Sequence, residues 1–333
     1  MFKIFDEKIN GVLFTVVFPF LLFFISYYGF ETSYVVGIKS WEKIPSFMFS
    51  SVYAYRVIPN YLSVHVTDVL AYVVNNDFAS AKAFILKQGS FFYHSTFLIN
   101  VFFFLLSSVV LHKIFLMKPV GLLMNEKIRR MVHLLAVFFI VLMQYVPTNC
   151  DCIALFFYVM GMFFTLKYLE NRKSADLIAL GAIIFISTFV RETACLNIAF
   201  FAAAFMEVRE LRKGNFIYVK ECLFLAVAFI LPYIGLRLFI QQQTSFVEGL
   251  YIIKNFTSPY NIAGLLFGIL SIFFTYGLSE KPGKKMIGNY LFFASPYLVM
   301  ITLVGLFWES RLFMPLIVTG FVAASYQFKK HYI

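Results

Sequence analysis

The stretch that decides the fold is FFYHSTFLINVFFFLLSSVVLH, residues 91–112, which contains no Asp, Glu, Lys or Arg. Nearly uncharged runs of about 18 residues or more are typical of transmembrane helices, because about 20 helical residues cross the hydrocarbon core of a bilayer. Of the 333 residues of the chain, 61% are hydrophobic and 14% are charged, and the mean hydropathy is +0.82. Soluble domains carry about 25% charged residues. The sequence therefore predicts an integral membrane protein.

Similar apolar runs recur along the whole chain. The predicted spans, about ten in number, are residues 11–29, 91–112, 131–147, 151–169, 177–190, 193–207, 221–240, 260–278, 288–307 and 311–327. We expect an all-α fold, a polytopic transmembrane helix bundle that forms a single domain over residues 1–333. No internal repeat stands out, and no soluble domain can be separated from the bundle.

The basic residues indicate how the bundle is oriented. Most of the 28 Lys and Arg residues fall in alternate loops, for example in segments 113–130, 209–220 and 281–285. Cytoplasmic loops of membrane proteins carry an excess of Lys and Arg. We therefore expect both termini in the cytoplasm and a location in the inner (plasma) membrane of a bacterium. The net charge of +11 is spread over these loops and does not indicate a nucleic-acid partner.

Residues 30–90 form the long loop between the first two predicted spans, and this loop lies outside in the predicted orientation. Apolar residues recur within it at spacings of three and four, as in Ile44, Met48, Val52 and Tyr55. Amphipathic helices of this kind lie along the membrane surface. We expect two or three such helices to cover the outer ends of the spans.

Charged residues gather at the predicted outer face, where charges near the bilayer are costly and often functional. Arginines bind phosphate oxygens in a planar fork, so arginines at this interface fit a phosphate or diphosphate head group. The candidate substrate-binding residues are Tyr55, Arg56, His94, Asp151, Arg191, Glu192, Arg237, Glu309 and Arg311. A transferred hydroxyl needs a carboxylate as general base. The candidate catalytic acids are Glu31, Glu42 and Asp68.

Each of these residues also has a purely structural interpretation. The arginine and acid pairs can anchor helix ends, and long arginines can extend from a helix toward the interface. The four cysteines form no CxxC pair and no spaced set with histidine, so no metal site is expected. A bridge within NCDC (149–152) would close a strained ring, and we expect free thiols. No cofactor is predicted.

Several segments resemble those of a known family. GFET, with Glu31, places an acid directly after the first span, and YRVIPNYL in the long outer loop carries an aromatic–Arg–x–x–Pro sequence. PTNCDCIALFF, FVRETA and WESRLFMP are similar to segments of bacterial membrane proteins of the same kind. In layout the chain resembles a small member of the GT-C superfamily of polytopic glycosyltransferases that use lipid-linked sugars. It departs from larger members in having no counterpart of their soluble C-terminal domain and no clear acidic pair after the first span.

The resemblance implies a membrane glycosyltransferase that uses a polyprenyl-phosphate-linked sugar donor at the outer (periplasmic or extracellular) face. Its partners would be membrane lipid, the donor, and a glycan or glycolipid acceptor of the cell envelope. Glu31 would be the base, with Glu42 or Asp68 as substitutes. The arginines that would hold the lipid phosphate are Arg56, Arg191, Arg237 and Arg311.

Three other functions stay open at this point. An O-antigen or polysaccharide polymerase usually carries a large late outer loop, and the loop of residues 241–259 is short. A membrane acyltransferase is expected to show an Arg and His pattern that the first span lacks. A transporter or flippase for a lipid-linked substrate would need polar or broken helices near the middle of the membrane.

Overall fold

The computed structural model describes residues 8–30, 32–41, 44–144, 148–214, 217–240 and 249–328. In this part of the chain the regular secondary structure is entirely helical. No β-strand occurs there, and Pro119 and Tyr326 form an isolated antiparallel bridge. The predicted all-α fold is therefore confirmed. The four cysteines are free thiols, as expected.

The helices follow one another with short connections. The α-helices up to residue 143 are α1 (Lys8–Val12), α2 (Phe18–Gly29), α3 (Ser33–Ser40), α4 (Ser51–Ala54), α5 (Val57–Asn76), α6 (Lys82–Gln88), α7 (Phe91–Met117) and α8 (Glu126–Met143). Those that follow are α9 (Asp151–Asn171), α10 (Ser174–Thr188), α11 (Leu196–Phe205), α12 (Val208–Arg212), α13 (Val219–Phe239), α14 (Ile252–Thr257), α15 (Pro259–Leu278), α16 (Lys281–Phe293), α17 (Ser295–Val304) and α18 (Met314–Ser325). A π-helical segment, Leu13–Val17, joins α1 to α2, and short 3₁₀ turns are Ser46–Phe49, Ala79–Ala81, Gly121–Met124, Glu192–Cys195 and Ser310–Phe313.

Several of these helices are long and apolar enough to cross a membrane, which is consistent with an integral membrane protein. Six such helices lie in the described ranges: Asn10–Gly29, Val57–Asn76, Phe91–Met117, Asp151–Asn171, Val219–Phe239 and Pro259–Leu278. α16 and α17 add a seventh if this pair, bent by 55°, is one broken span. The remaining predicted spans correspond to α8, which begins with charged residues, and to shorter apolar helices. The ten-span count therefore stays a prediction.

The centre of the bundle is formed by α7, α9 and α18. In the most apolar stretch of α7, and likewise in that of α9, 61% of the residues are buried. The corresponding fractions are 17% for α13 and 22% for α15. α18 has only 12 residues and is much shorter than α7 and α9, but nearly every one of its residues is buried. The exposed apolar side chains of α13 and α15 fit helices that face lipid.

α5 differs from the surface helix that the sequence spacing predicted. It packs against α7, where Thr67 Oγ1 lies 2.6 Å from Ser95 Oγ. At its start, Ile58 packs on a buried cluster that includes Ile99, and the Ile58 N–H donates to Phe189 O over 3.2 Å. α5 is therefore antiparallel to the first half of α7, and its start is level with the end of α10. The predicted position on the membrane surface is not confirmed for this helix.

Asn60 fixes the start of α5. Its Nδ2 donates to Met48 O (2.7 Å) and to Tyr53 O (2.9 Å). Its Oδ1 accepts from Asn149 Nδ2 over 3.1 Å. The side chain is buried, so these bonds replace bonds to water. Asn60 thus joins the segment before α5 to the turn before α9.

We expect Asn60→Ala to lower the free energy of unfolding by about 1–3 kcal/mol, because it removes three hydrogen bonds of a buried side chain, among them the bond to Met48 O. The control is Asn76→Ala, at the exposed end of the same helix, where Nδ2 donates to Tyr72 O. This change should cost less than about 0.5 kcal/mol. Denaturant unfolding in detergent micelles measures both variants. Equal losses would contradict the structural role given to Asn60.

Candidate functional site

Asp151 is the first residue of α9, and its side chain is completely buried. Arg191 Nη1 contacts Oδ1 of Asp151, and Arg311 Nη1 lies 3.1 Å from Oδ2. Thr148 Oγ1 donates to Oδ2 over 2.6 Å. A buried carboxylate without a counter-charge is strongly destabilising, and two guanidinium groups supply that charge here. We call Asp151, Arg191 and Arg311 the central cluster.

Arg191 lies in the connection between α10 and α11. Its backbone is extended, with φ of −164° and ψ of 149°, and this conformation ends the helical path of α10. Burial alone would lower the pKa of Arg191, but the Asp151 carboxylate and the Cys150 side chain raise it. The pKa lies above its ordinary value, so Arg191 stays charged at any physiological pH.

Arg311 lies in the 3₁₀ turn that precedes α18. Besides Asp151, its guanidinium bonds the Glu309 carboxylate, with Nη2 2.7 Å and Nε 3.2 Å from Oε2. The side chains of Arg311 and Glu309 are 11% and 18% exposed. Arg311 therefore links a fully buried acid to one that lies nearer the surface of the protein.

Two asparagines hold the chain that leads to Glu309. Asn255 Oδ1 accepts from the Phe307 N–H over 3.2 Å, and Asn261 Oδ1 accepts from the Trp308 N–H over 2.9 Å. Gly264 lies against this segment so closely that an added Cβ would meet Phe307 O at 2.1 Å. α14 and α15 thereby position the turn that carries Arg311.

Arg56 caps the start of α5 and lies beside the central cluster. Its Nη1 donates to Cys150 Sγ over 3.3 Å, and its guanidinium lies 4.6 Å from the ring centroid of Tyr53. Its Nε is buried without a hydrogen-bond partner. Among the described residues, no carboxylate lies within 4.0 Å of the guanidinium. Arg56 is thus a third positive charge that no described acid neutralises directly.

A second group of side chains lies at the C-terminal end of α13. The Arg237 guanidinium stacks 3.5 Å from the ring centroid of Tyr233 and 4.5 Å from that of Tyr55. Its Nη2 is 3.9 Å from Glu192 Oε1, which is a loose, partly exposed ion pair. Glu192 follows Arg191 directly, so this group adjoins the central cluster through the chain.

A small cavity borders the central cluster. Its volume is ≈ 20 Å³, which is room for about one water molecule. The residues that line it are Ala154, Leu155, Tyr158, Arg191, Thr193, Tyr297, Arg311, Met314 and Pro315. Tyr158 donates to Tyr290 and lies 2.5 Å from Thr319 Oγ1, and Tyr297 donates to Leu312 O over 2.7 Å. The cavity is therefore polar at the arginines and apolar toward α18.

The structure brings most of the predicted binding residues into one region. Those in or beside the central cluster are Tyr55, Arg56, Asp151, Arg191, Glu192, Arg237, Glu309 and Arg311. His94 lies apart, with Nδ1 2.9 Å from the Tyr28 hydroxyl and Nε2 3.0 Å from Ile85 O. Asp68 is exposed on α5, away from these side chains. Glu31 and Glu42 lie outside the described residues.

The sequence interpretation missed neutral polar residues that hold the cluster together. Thr148 bonds Asp151, and its carbonyl accepts from Asn100 Nδ2 over 2.7 Å. Asn149 bonds both Asn60 and Ser63. Thr148 and Asn149 belong to the PTNCDC segment, whose polar residues before α9 were the available signal. Neither Tyr158 nor Tyr297 differs in pattern from the many other aromatic residues of the chain.

No group of three or more His, Cys, Asp or Glu residues that could hold a metal ion occurs within the described ranges. The comparisons with known proteins give no family either. No protein-family model, no curated protein and no solved structure matches the chain. Function must therefore be argued from the site itself.

We expect Arg191→Gln to lower the free energy of unfolding by about 3–5 kcal/mol, because it removes one partner of a buried ion pair. The control is Arg237→Gln, whose ion pair with Glu192 is loose and partly exposed. That change should cost less than about 1 kcal/mol. Thermal and denaturant unfolding of the purified variants measures the difference. Comparable losses of stability in the two variants would mean that the burial of the Asp151 carboxylate does not depend on Arg191.

Proposed function

We propose that the protein is a membrane transferase that binds a phosphate-bearing lipid at the central cluster, with a polyprenyl-phosphate-linked sugar as donor. One observation carries the proposal. Arg56, Arg191 and Arg311 converge on a region where, among the described residues, these arginines pair with two carboxylates, those of Asp151 and Glu309, while the neighbouring Glu192 pairs with Arg237. The region therefore has an excess of positive charge, and arginine is the side chain best shaped to bind phosphate oxygens.

The surroundings of the cluster support a lipid rather than a soluble ligand. α13 and α15 expose many apolar side chains, among them Leu231, Leu238 and Phe273. A polyprenyl tail would stay in the bilayer beside such helices while its phosphate reaches the arginines. The GT-C-like layout of the sequence agrees with a glycosyltransferase, and a glycan or glycolipid would be the acceptor.

The base in this proposal is Glu31, with Glu42 or Asp68 as substitutes. Asp151 and Glu309 are poor candidates, because guanidinium groups already bond their oxygens. Tyr34, three residues after Glu31, has its ring centroid 6.0 Å from that of Trp308. Trp308 directly precedes Glu309, so the chain that follows α2 passes beside the cluster.

A transporter or flippase for a lipid-linked substrate is the second candidate. The break of 55° between α16 and α17 favours it, because broken helices are typical of transport sites. Tyr297 of α17 lines the cavity, so the break lies next to the cluster. Sugar transfer from a polyprenyl-phosphate donor in nanodiscs, compared with lipid flux in liposomes, separates the two functions.

We expect Glu31→Gln to lower turnover about 10²–10⁴-fold with unchanged donor affinity, because a general base contributes a factor of this size. Arg56→Gln should instead weaken donor binding about tenfold to hundredfold, because charge-assisted bonds to phosphate are lost. Donor affinity, turnover and thermal stability are measured on both variants in nanodiscs.

The control for Arg56 is Arg172→Gln, at the other end of α9, where the guanidinium lies 4.7 Å from the Phe205 ring and 4.9 Å from the Tyr218 ring. It removes an arginine stacked on aromatic rings without touching the cluster. If Arg56→Gln and Arg172→Gln have equal donor affinity, the proposed phosphate site is wrong. Normal turnover of Glu31→Gln would move the base to Glu42 or Asp68.

The sidedness of the site is also part of the proposal, with both termini cytoplasmic and the cluster at the outer face of a bacterial inner membrane. The basic loops are its support. Ser80 and Glu280 are both exposed in the structure, so a cysteine at either position is accessible to a reagent on its own side of the membrane. In a cysteine-free background, an impermeant thiol reagent added outside should therefore label Ser80→Cys and not Glu280→Cys. The reverse labelling pattern would invert the topology.

A further inference from the structure

The Asp151 carboxylate occupies the place that an anionic ligand of the cluster would take. Arg191 contacts one of its oxygens and Arg311 the other, so two guanidinium groups from different segments hold one planar anion. Arginines hold two oxygens of a phosphate group in a similar way. Asp151 thus occupies an anion-binding position between Arg191, which lies between α10 and α11, and Arg311, which precedes α18. We call this position the seat.

The space beside this seat is too small for a phosphate group. The cavity of ≈ 20 Å³ accommodates about one water molecule, and a phosphate carries four oxygen atoms. Leu155, Tyr158 and Met314, which line the cavity, are buried in the central helices α9 and α18. A phosphate that takes the position between Arg191 and Arg311 must therefore displace the Asp151 carboxylate, which already contacts both guanidinium groups.

The Asp151 side chain is the group whose displacement balances the charge. A phosphate brings at least one negative charge to the two arginines, and it replaces the one that Asp151 removes. Arg56, which has no carboxylate partner among the described residues, can take further phosphate charge. The Thr148 hydroxyl holds Asp151 in the seat, because it donates to Oδ2 over 2.6 Å and accepts from the Asp151 N–H over 3.3 Å. Cys150 Sγ lies 3.9 Å from Oδ1.

We propose that Asp151 is a resident counter-ion, which keeps the seat between Arg191 and Arg311 closed until the phosphate of a lipid displaces it. The identification of the ligand as a lipid rests on the proposed function. Asp151 is then a positioning and affinity-setting residue, and its removal should strengthen phosphate binding. A purely structural ion pair would show the opposite effect or none.

The first experiment uses Asp151→Asn and inorganic phosphate. The variant should unfold at a lower temperature than the parent protein, because two buried arginines lose their counter-charge. Phosphate at ten times its Kd should then raise the ratio of folded to unfolded variant about tenfold, at constant ionic strength. The parent protein should show no such response. A variant that ignores phosphate would overturn the proposal.

The matched control is Asp176→Asn. Asp176 is also a buried aspartate in the first turn of a helix, and it pairs with Lys167 Nζ at 2.9 Å, away from the cluster. Asp176→Asn should lose stability without any rescue by phosphate. Equal rescue of the two variants would show a general salt effect and would contradict a dedicated seat.

The second experiment measures binding of polyprenyl phosphate in nanodiscs, and it stays decisive if Asp151→Asn fails to fold. Thr148→Val removes the hydrogen bond that holds the carboxylate. It should bind the lipid about tenfold more tightly than the parent, since a bond to a charged group contributes at least this factor. Unchanged or weaker binding would contradict the proposal that the lipid phosphate displaces Asp151. If inorganic phosphate rescues Asp151→Asn but no form binds polyprenyl phosphate, the seat is supported and the proposed lipid function fails.

Discussion

A carboxylate buried without a counter-charge is among the costliest groups that a protein can contain, and Asp151 is completely buried at the start of α9. The arginines that compensate it come from distant parts of the chain, Arg191 after α10 and Arg311 before α18. Because each ion pair requires contact, these two connections must form short, fixed turns around Asp151. The starts of α9, α11 and α18 are therefore held at one level, and the end of the bundle around them is built on this constraint.

The same constraint brings Arg56, which no described carboxylate contacts, to the same place. The turn before α9 supplies Thr148 to Asp151, Asn149 to the start of α5, and Cys150 to Arg56. Arg56 is thereby held at Cys150, which is next to Asp151 in the chain, and Arg191 and Arg311 already contact the carboxylate of Asp151. Under the proposed function, the phosphate of the ligand supplies a further negative charge to these arginines. The interactions that stabilise this end of the fold are also the ones that form the proposed phosphate site.

The sequence predicted the long helices well, because their apolar runs are uninterrupted. The span predicted at residues 260–278 corresponds to α15 (Pro259–Leu278), and the span at 91–112 to the first part of α7 (Phe91–Met117). It did not predict the packing of α5, since a helix with polar residues on one face can lie on a membrane or against another helix. Helical spacing alone does not separate these two cases.

For the site, the charges could be predicted and their pairing could not. Arg311 and Asp151 are 160 residues apart in the chain, and only the packing of α9 against the elements around α18 makes them partners. In the sequence, His94 lies at the predicted outer face as the arginines do. In the structure, its ring nitrogens lie within hydrogen-bond distance of the Tyr28 hydroxyl and Ile85 O, away from the central cluster. Asn60 carries no charge, so nothing in its pattern separated it from other polar residues near helix ends, whereas the run of polar residues around Thr148 before α9 was a signal.

The central claim is that this cluster binds the phosphate of a membrane lipid. A cryo-EM structure of the protein in nanodiscs that contain polyprenyl phosphate tests it most directly. We expect phosphate density within hydrogen-bond distance of Arg56, Arg191 and Arg311, with the tail leaving along the apolar faces of α13 and α15. A saturated complex with the phosphate at the opposite end of the bundle, among the lysines near Lys281, would contradict it.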